Sequence, residues 1–91
     1  MALKILSAPS PSQGEAVSAQ LRVAIEAALA GSRAEVRAAS PGHFEISVTW
    51  ADFAGKSKLQ QHQIAYRAIA PFMTGDAPPV HAIDHLECRS A

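Results

Sequence analysis

Two hydrophobic periods run through this chain. Val17, Leu21, Ile25 and Leu29 recur every fourth residue, with Ala24 and Ala28 beside them. That spacing lays one apolar stripe along a helix. Ser12 and Glu15 stand three apart just ahead of it, the spacing of a capping box, and Gly31 follows as a helix-ending glycine. The period then changes to two. In "HFEISVTW" (43–50), Phe44, Ile46, Val48 and Trp50 alternate with His43, Glu45, Ser47 and Thr49. This predicts a strand with one face on the core. "AEVRAAS" (34–40) is a second strand candidate, and Pro41-Gly42 between the two is a turn, so the pair should be antiparallel.

The helical period returns after residue 56. Ser57 and Gln60 again have capping-box spacing, which places a helix start at Ser57. Leu59, Tyr66, Ile69 and Met73 form an apolar stripe expected to join the core, and His62 falls on the same side. Pro71 should kink or end the helix. "TGDAPP" (74–79) reads as a loop, and "VHAIDHLECRS" (80–90) as a last strand, with Val80, Ala82, Leu86 and Cys88 in phase. The order is α-β-β-α-β. Its second strand, second helix and third strand have the form of a βαβ crossover, which makes those two strands parallel if they adjoin. The expected fold is therefore α/β (α+β), a three-stranded mixed sheet covered by helices on one face.

Ninety-one residues make one domain with one small core. "SAPSPSQG" (7–14) marks residues 1–11 as a loose tail and 12–91 as the domain. Apolar residues make up 48% and charged residues 18%, as in an ordered globular chain. Eight basic side chains balance eight acidic ones, so no whole-protein field draws nucleic acid or an anionic membrane. A lone cysteine, Cys88, forms no internal disulfide and fits a reducing compartment. "MALKILSA" is too small for a secretory apolar region, and no run has the length of a membrane span. A cytoplasmic protein is the expectation.

Candidate chemistry is sparse. "AGKSK" carries the tail of a phosphate loop, but Trp50 stands where that loop needs its first glycine. Lys56, Lys58 and Arg67 lie in a stretch, 53–74, that has no acid. They make a solvated face, a partner-docking face, or a set of phosphate contacts for nucleic acid. His81 and His85 have a metal spacing on a helix, but on a strand they stand about 13 Å apart, too far for one ion. His43 and His81 open two strands that would start at one edge if parallel neighbours, so they are the better pair. Two ligands leave a four-coordinate site incomplete, so another molecule would have to finish it. Cys88 reads as a buried strand residue. With no carboxylate pair, Ser-His-Asp set or CxxC, an enzyme has no support.

"HFEISVTWADFAGKSKLQQHQIAYRAI" followed by "VHAIDHL" resembles the BolA-like proteins. Their pattern sets His-Phe before a strand, then Phe-x-Gly-Lys-Ser, a helix with a His and a Tyr four residues later, and a final strand opening Val-His-Ala. Phe53, Gly55, Lys56, Ser57, His62, Tyr66, His81 and Ala82 fall on it, over about residues 15–87. The resemblance implies a class II KH-like fold and a monothiol glutaredoxin as partner. It implies a [2Fe–2S] cluster shared in that complex with a glutaredoxin cysteine and glutathione, and no cofactor in the isolated chain. His81 would be the ligand from the Val-His-Ala motif and His43 the candidate second one. Lys56, Lys58, His62 and Arg67 would form the partner or nucleic-acid surface. The family is also linked to stress response, cell morphology and, for some members, DNA binding and transcriptional regulation, so a KH-like DNA-binding regulator is the alternative. Self-association stays open.

Overall fold

The computed structural model describes residues 13–91. The expected tail, 1–11, and the Ser12–Glu15 capping box lie outside or at the edge of them. Helix α1 spans Gln13–Ala28, strand β1 Arg33–Ser40, strand β2 His43–Thr49, helix α2 Lys58–Ile69 and strand β3 Ala82–Arg89. Short 3-10 turns, Ala51–Phe53 and Ala70–Phe72, precede and follow α2. The second holds Pro71, whose missing N–H stops the α-helix there. The sheet order is β1-β2-β3, with β1 antiparallel and β3 parallel to β2. No helix among the described residues is long and apolar enough to cross a membrane.

The core follows the two periods. Val17, Leu21, Ile25 and Leu29 of the α1 stripe are buried against Phe44, Ile46 and Val48 of β2. At roughly 1.5–3 kcal/mol for each large apolar side chain buried, this stripe is the main attachment of α1. Trp50 continues β2 into the next turn. Its indole Nε1 donates to the Ala30 carbonyl at 2.9 Å, and its ring meets Phe53 edge-on at 5.2 Å between centroids.

Helix α2 starts at Ser57 as expected. The Ser57 hydroxyl accepts the Gln60 backbone N–H at 3.1 Å, and the Gln60 side-chain Oε1 accepts the Ser57 N–H at 3.0 Å. Its inward stripe differs from the expected one. Ala65 and Ile69 are buried, with Ile64 and Ala68 packed beside them, whereas Leu59 is 67% and Tyr66 38% exposed. The inward line passes through 65 rather than 66, a rotation of about 100° for one residue. Alanine at 65 lets the helix backbone approach the sheet, where a tyrosine would hold it off. Gln61 anchors this rotation, its Nε2 donating to the carbonyls of Phe53 (3.1 Å) and Lys56 (3.2 Å).

Strand β3 also departs from simple alternation. An unbroken phase through Val80, Ala82, Leu86 and Cys88 would carry Asp84 into the core. The pairing steps from Phe44↔Ile83 to Glu45↔His85, so Asp84 is an extra residue. This β-bulge turns Ile83 toward the core and leaves Asp84 exposed. Leu86 and Cys88 then resume the inward phase opposite Ile46 and Val48. The strand starts at Ala82, and Val80 is buried ahead of it.

Candidate functional site

The two parallel strands begin side by side, so the residues before and at their starts share one end of the sheet. The β1–β2 turn is Pro41-Gly42, with Gly42 at φ 78°. Proline followed by a positive-φ glycine is the residue pair of a type II turn. Ala39 is the extra residue beside it, where the β1–β2 register shifts. The Gly42 carbonyl turns toward β3 and accepts two backbone N–H groups, from His81 at 2.8 Å and Ala82 at 3.1 Å. These bonds fix the backbone of His81 before the strand begins.

The His81 ring lies directly over Gly42. A Cβ on Gly42 would stand 2.8 Å from both Cγ and Nδ1 of His81, inside any real contact. Glycine is thus required twice, for the turn and for the space. His81 is exposed and borders a cleft of about 670 Å³, whose walls include Val17, Phe44, Pro41 and Pro78. Among the described residues no Asp, Glu, Lys or Arg lines this cleft.

His43 pairs with Ala82 in register, so it sits one step from His81 at the same end. Strand alternation separates the two rings. Phe44 faces the helices, so its neighbour His43 faces the open side of the sheet. There its Nδ1 lies 2.9 Å from Asp84 Oδ1. His81 instead borders the cleft on the helix side, whose walls include Val17 of α1 and the core residue Phe44. The chain therefore gathers both imidazoles at one rim but on opposite faces of it. Among the described residues no three His, Cys, Asp or Glu side chains stand together as a metal-binding group.

His85 is further along β3, beside Glu45 in register, and Glu45 is in turn ion-paired with Arg37. This row across the open face is a surface charge ladder. Glu87 is paired with Arg89 at 2.7 Å, and that contact holds its carboxyl below its ordinary value. Cys88 is half-buried, its Sγ 3.8 Å from the Gln61 carbonyl. Burial, and then the charge of Glu87, push its thiol up, so it is a poor thiolate.

The basic residues of α2 lie elsewhere. Lys56 Nζ donates to the Asp52 carbonyl at 2.8 Å, and Lys58 is close enough to Glu87 to lower its pKa further. From His81 to Glu87 is six residues of near-extended chain, about 20 Å. The start of α2 is therefore at the opposite end of the sheet from His81 and His43. His62 is half-buried on the outer flank of α2, and Arg67 is exposed.

Sequence patterns located His81 and His43 but not Gly42 beneath one or Asp84 beside the other. Gly42 was legible only as a turn residue. The signal for Asp84 was its misfit, a carboxylate on the core phase of a strand.

The model of the family "BolA-like protein" matches residues 16–89. Among solved structures, a bolA protein homologue from Coxiella burnetii is 29% identical. It has a TM-score of 0.63 and covers 80% of this chain and 88% of its own. The BolA1 protein from Mus musculus is also 29% identical, with a TM-score of 0.67, covering 99% of this chain and 76% of its own. BolA1 from Arabidopsis thaliana, at 14% identity and a TM-score of 0.65, shares the fold over 80% of this chain and 89% of its own. No curated protein matches the chain.

Proposed function

The chain belongs to the BolA-like protein family, and from that premise we propose that it is a non-enzymatic adaptor that pairs with a monothiol glutaredoxin to bind or pass on a [2Fe–2S] cluster. The cluster is cargo of the complex. The observation that carries this reading is His81: an exposed imidazole whose backbone is held by two hydrogen bonds to Gly42 and whose ring rests on a glycine. Such a ring is available to an incoming metal with little backbone rearrangement.

The donor set fits a shared cluster and not a resident one. A [2Fe–2S] cluster needs four protein or small-molecule ligands. His81 and His43 share one rim but face opposite sides of it, and among the described residues no three donors group there, so the chain by itself does not complete four positions and a partner cysteine and a glutathione thiol would fill the rest. His43 has the support that ligating histidines use, one ring nitrogen on a carboxylate, here Asp84 at 2.9 Å. His81 is the principal ligand in this reading and His43 the assisting one.

The alternative of a KH-like DNA-binding regulator would rely on Lys56, Lys58 and Arg67. Two of these cations already have company, Lys56 at the Asp52 carbonyl and Lys58 near Glu87. Glu87 offsets part of the Lys58 charge, so the face is less positive than the sequence count of its lysines, which favours the adaptor.

The test is anaerobic co-purification with a monothiol glutaredoxin and glutathione, read by visible absorption and circular dichroism. The mixture should give a cluster spectrum distinct from that of glutaredoxin alone, and His81→Ala should return it to the glutaredoxin-alone spectrum. An unchanged spectrum in His81→Ala would remove the ligand assignment.

A further inference from the structure

The sheet has two outer strands, β1 and β3, and they differ as edges. The bulge at Asp84 interrupts β3. Such an interruption blunts an edge against further pairing. Strand β1 instead runs in unbroken register with β2 from Arg33 to Ala38. Main-chain groups of alternate residues in an antiparallel strand point to opposite sides. The Ala34 N–H points away from β2, because it donates to the Glu26 carboxylate at 3.0 Å. The N–H and C=O groups of Val36 and Ala38 therefore point outward as well. No other strand of the described residues lies beside them.

The side chains say what fits this edge. Ala34 and Val36 turn toward the core, and Arg33, Glu35 and Arg37 are exposed on the open face. In a two-fold antiparallel pairing of β1 with a copy of itself, these charges separate the registers. Centred on Val36, each Glu35 stands opposite the other copy's Arg37, once on either side of the axis. Centred on Glu35 or on Arg37, the pairing sets like charges face to face. Centred on Ala38, it pairs no charges. Centred on Ala34, it matches Arg33 with Glu35 but brings two Glu26 carboxylates together at the axis. Arg37 can serve both sides of its strand. Its side chain is 74% exposed, and a guanidinium has donors beyond those that Glu45 takes.

We propose that β1 is a self-pairing edge: two copies of this chain join β1 to β1, antiparallel about Val36, and merge their three-stranded sheets into one. Each Val36 exchanges both main-chain hydrogen bonds with its counterpart, and each Ala38 N–H reaches the other copy's Ala34 carbonyl. Glu35 and Arg37 face each other at positions between these bonds, where opposed side chains stand closest. The row His85, Glu45, Arg37 across one sheet then continues into the other copy's Glu35. Glu26 is the brake. It holds the Ala34 N–H and has to turn aside for the last bond at each end. A strand of another protein is the poorer occupant, because the charge order of β1 about Val36 is its own complement.

Sedimentation equilibrium of the whole chain should show a monomer–dimer exchange that weakens with salt. Glu35→Arg and Arg37→Glu each put like charges opposite one another on both sides of the axis, and each should weaken the dimer about tenfold or more. An equimolar mixture of the two variants restores opposite charges at both places and should dimerise more strongly than either alone, which a folding defect would not produce. Glu26→Ala frees the Ala34 N–H and should strengthen the dimer about tenfold. Amide exchange at Val36 and Ala38 should slow as concentration rises. The proposal is overturned if the wild type stays monomeric up to its solubility, if the mixture associates no better than its components, or if the protected amides lie outside β1. It is equally overturned if the wild type stays monomeric while an unrelated extended peptide protects Val36 and Ala38. Should Arg37→Glu fail to fold, Glu35→Arg and Glu26→Ala still have to move the association in opposite directions, and a shared direction sinks the idea. None of these outcomes depends on glutaredoxin or a cluster.

Discussion

The His81 ring occupies the space that any side chain on Gly42 would need, with its Cγ and Nδ1 each 2.8 Å from where that Cβ would be. One residue thus closes the β1–β2 hairpin, accepts the first two N–H groups of the β3 region and makes room for the candidate ligand. The consequences can be measured separately.

Gly42→Ala should lower stability by about 1–2 kcal/mol for the left-handed backbone alone. The His81 ring must also move. Urea unfolding gives the first effect, and the His81 ring proton shifts give the second. A variant with native stability and an unmoved ring would contradict both.

In the glutaredoxin mixture, His81→Ala and Asp84→Ala should differ in kind. The first removes a ligand and its absorption signature. The second leaves the signature but, by freeing the His43 ring, should weaken retention against a chelator by about 10- to 100-fold. Identical behaviour of the two variants would count against the separate roles.

Ile69→Ala should cost about 2–5 kcal/mol, because Ile69 is buried in the core. Leu59→Ala should stay within about 0.5 kcal/mol of the wild type, as exposed positions do. Equal losses in chemical denaturation would mean that Leu59 belongs to the core after all.

The Cys88 thiol is pushed up in the folded chain, chiefly by burial. Folding therefore strengthens proton binding at this site. The stability it contributes is present below the unfolded thiol's titration range, near pH 8.5, and is lost as pH rises through the higher folded value. Native Cys88 should react more slowly with iodoacetamide at pH 8 than the urea-unfolded chain. Equal rates would show the thiol to be unshielded.

Periodic hydrophobicity was enough for the elements and their order. Four-residue spacing in α1 and strict alternation in β2 each leave a single way to bury an apolar face, and the crossover between β2 and β3 leaves one strand direction. The Ser57–Gln60 cap is local, so its residues announce it. Two features were not legible. The rotation of α2 exposes Leu59 and Tyr66 because Ala65 permits a closer approach to the sheet, a choice made by packing and not by hydrophobicity. The bulge at Asp84 arises because a carboxylate on the core phase is costlier to bury than a ladder is to interrupt.

The sequence alone placed His43 and His81 at the starts of two strands that would be parallel if they adjoined, and the structure supplied the adjacency. Only the tertiary structure decided that alternation sends their rings to opposite faces, and that the basic start of α2 lies at the sheet's far end. Spacing along a chain fixes which residues share an element; which way each side chain points, and how far apart two elements' ends fall, is set by register and packing.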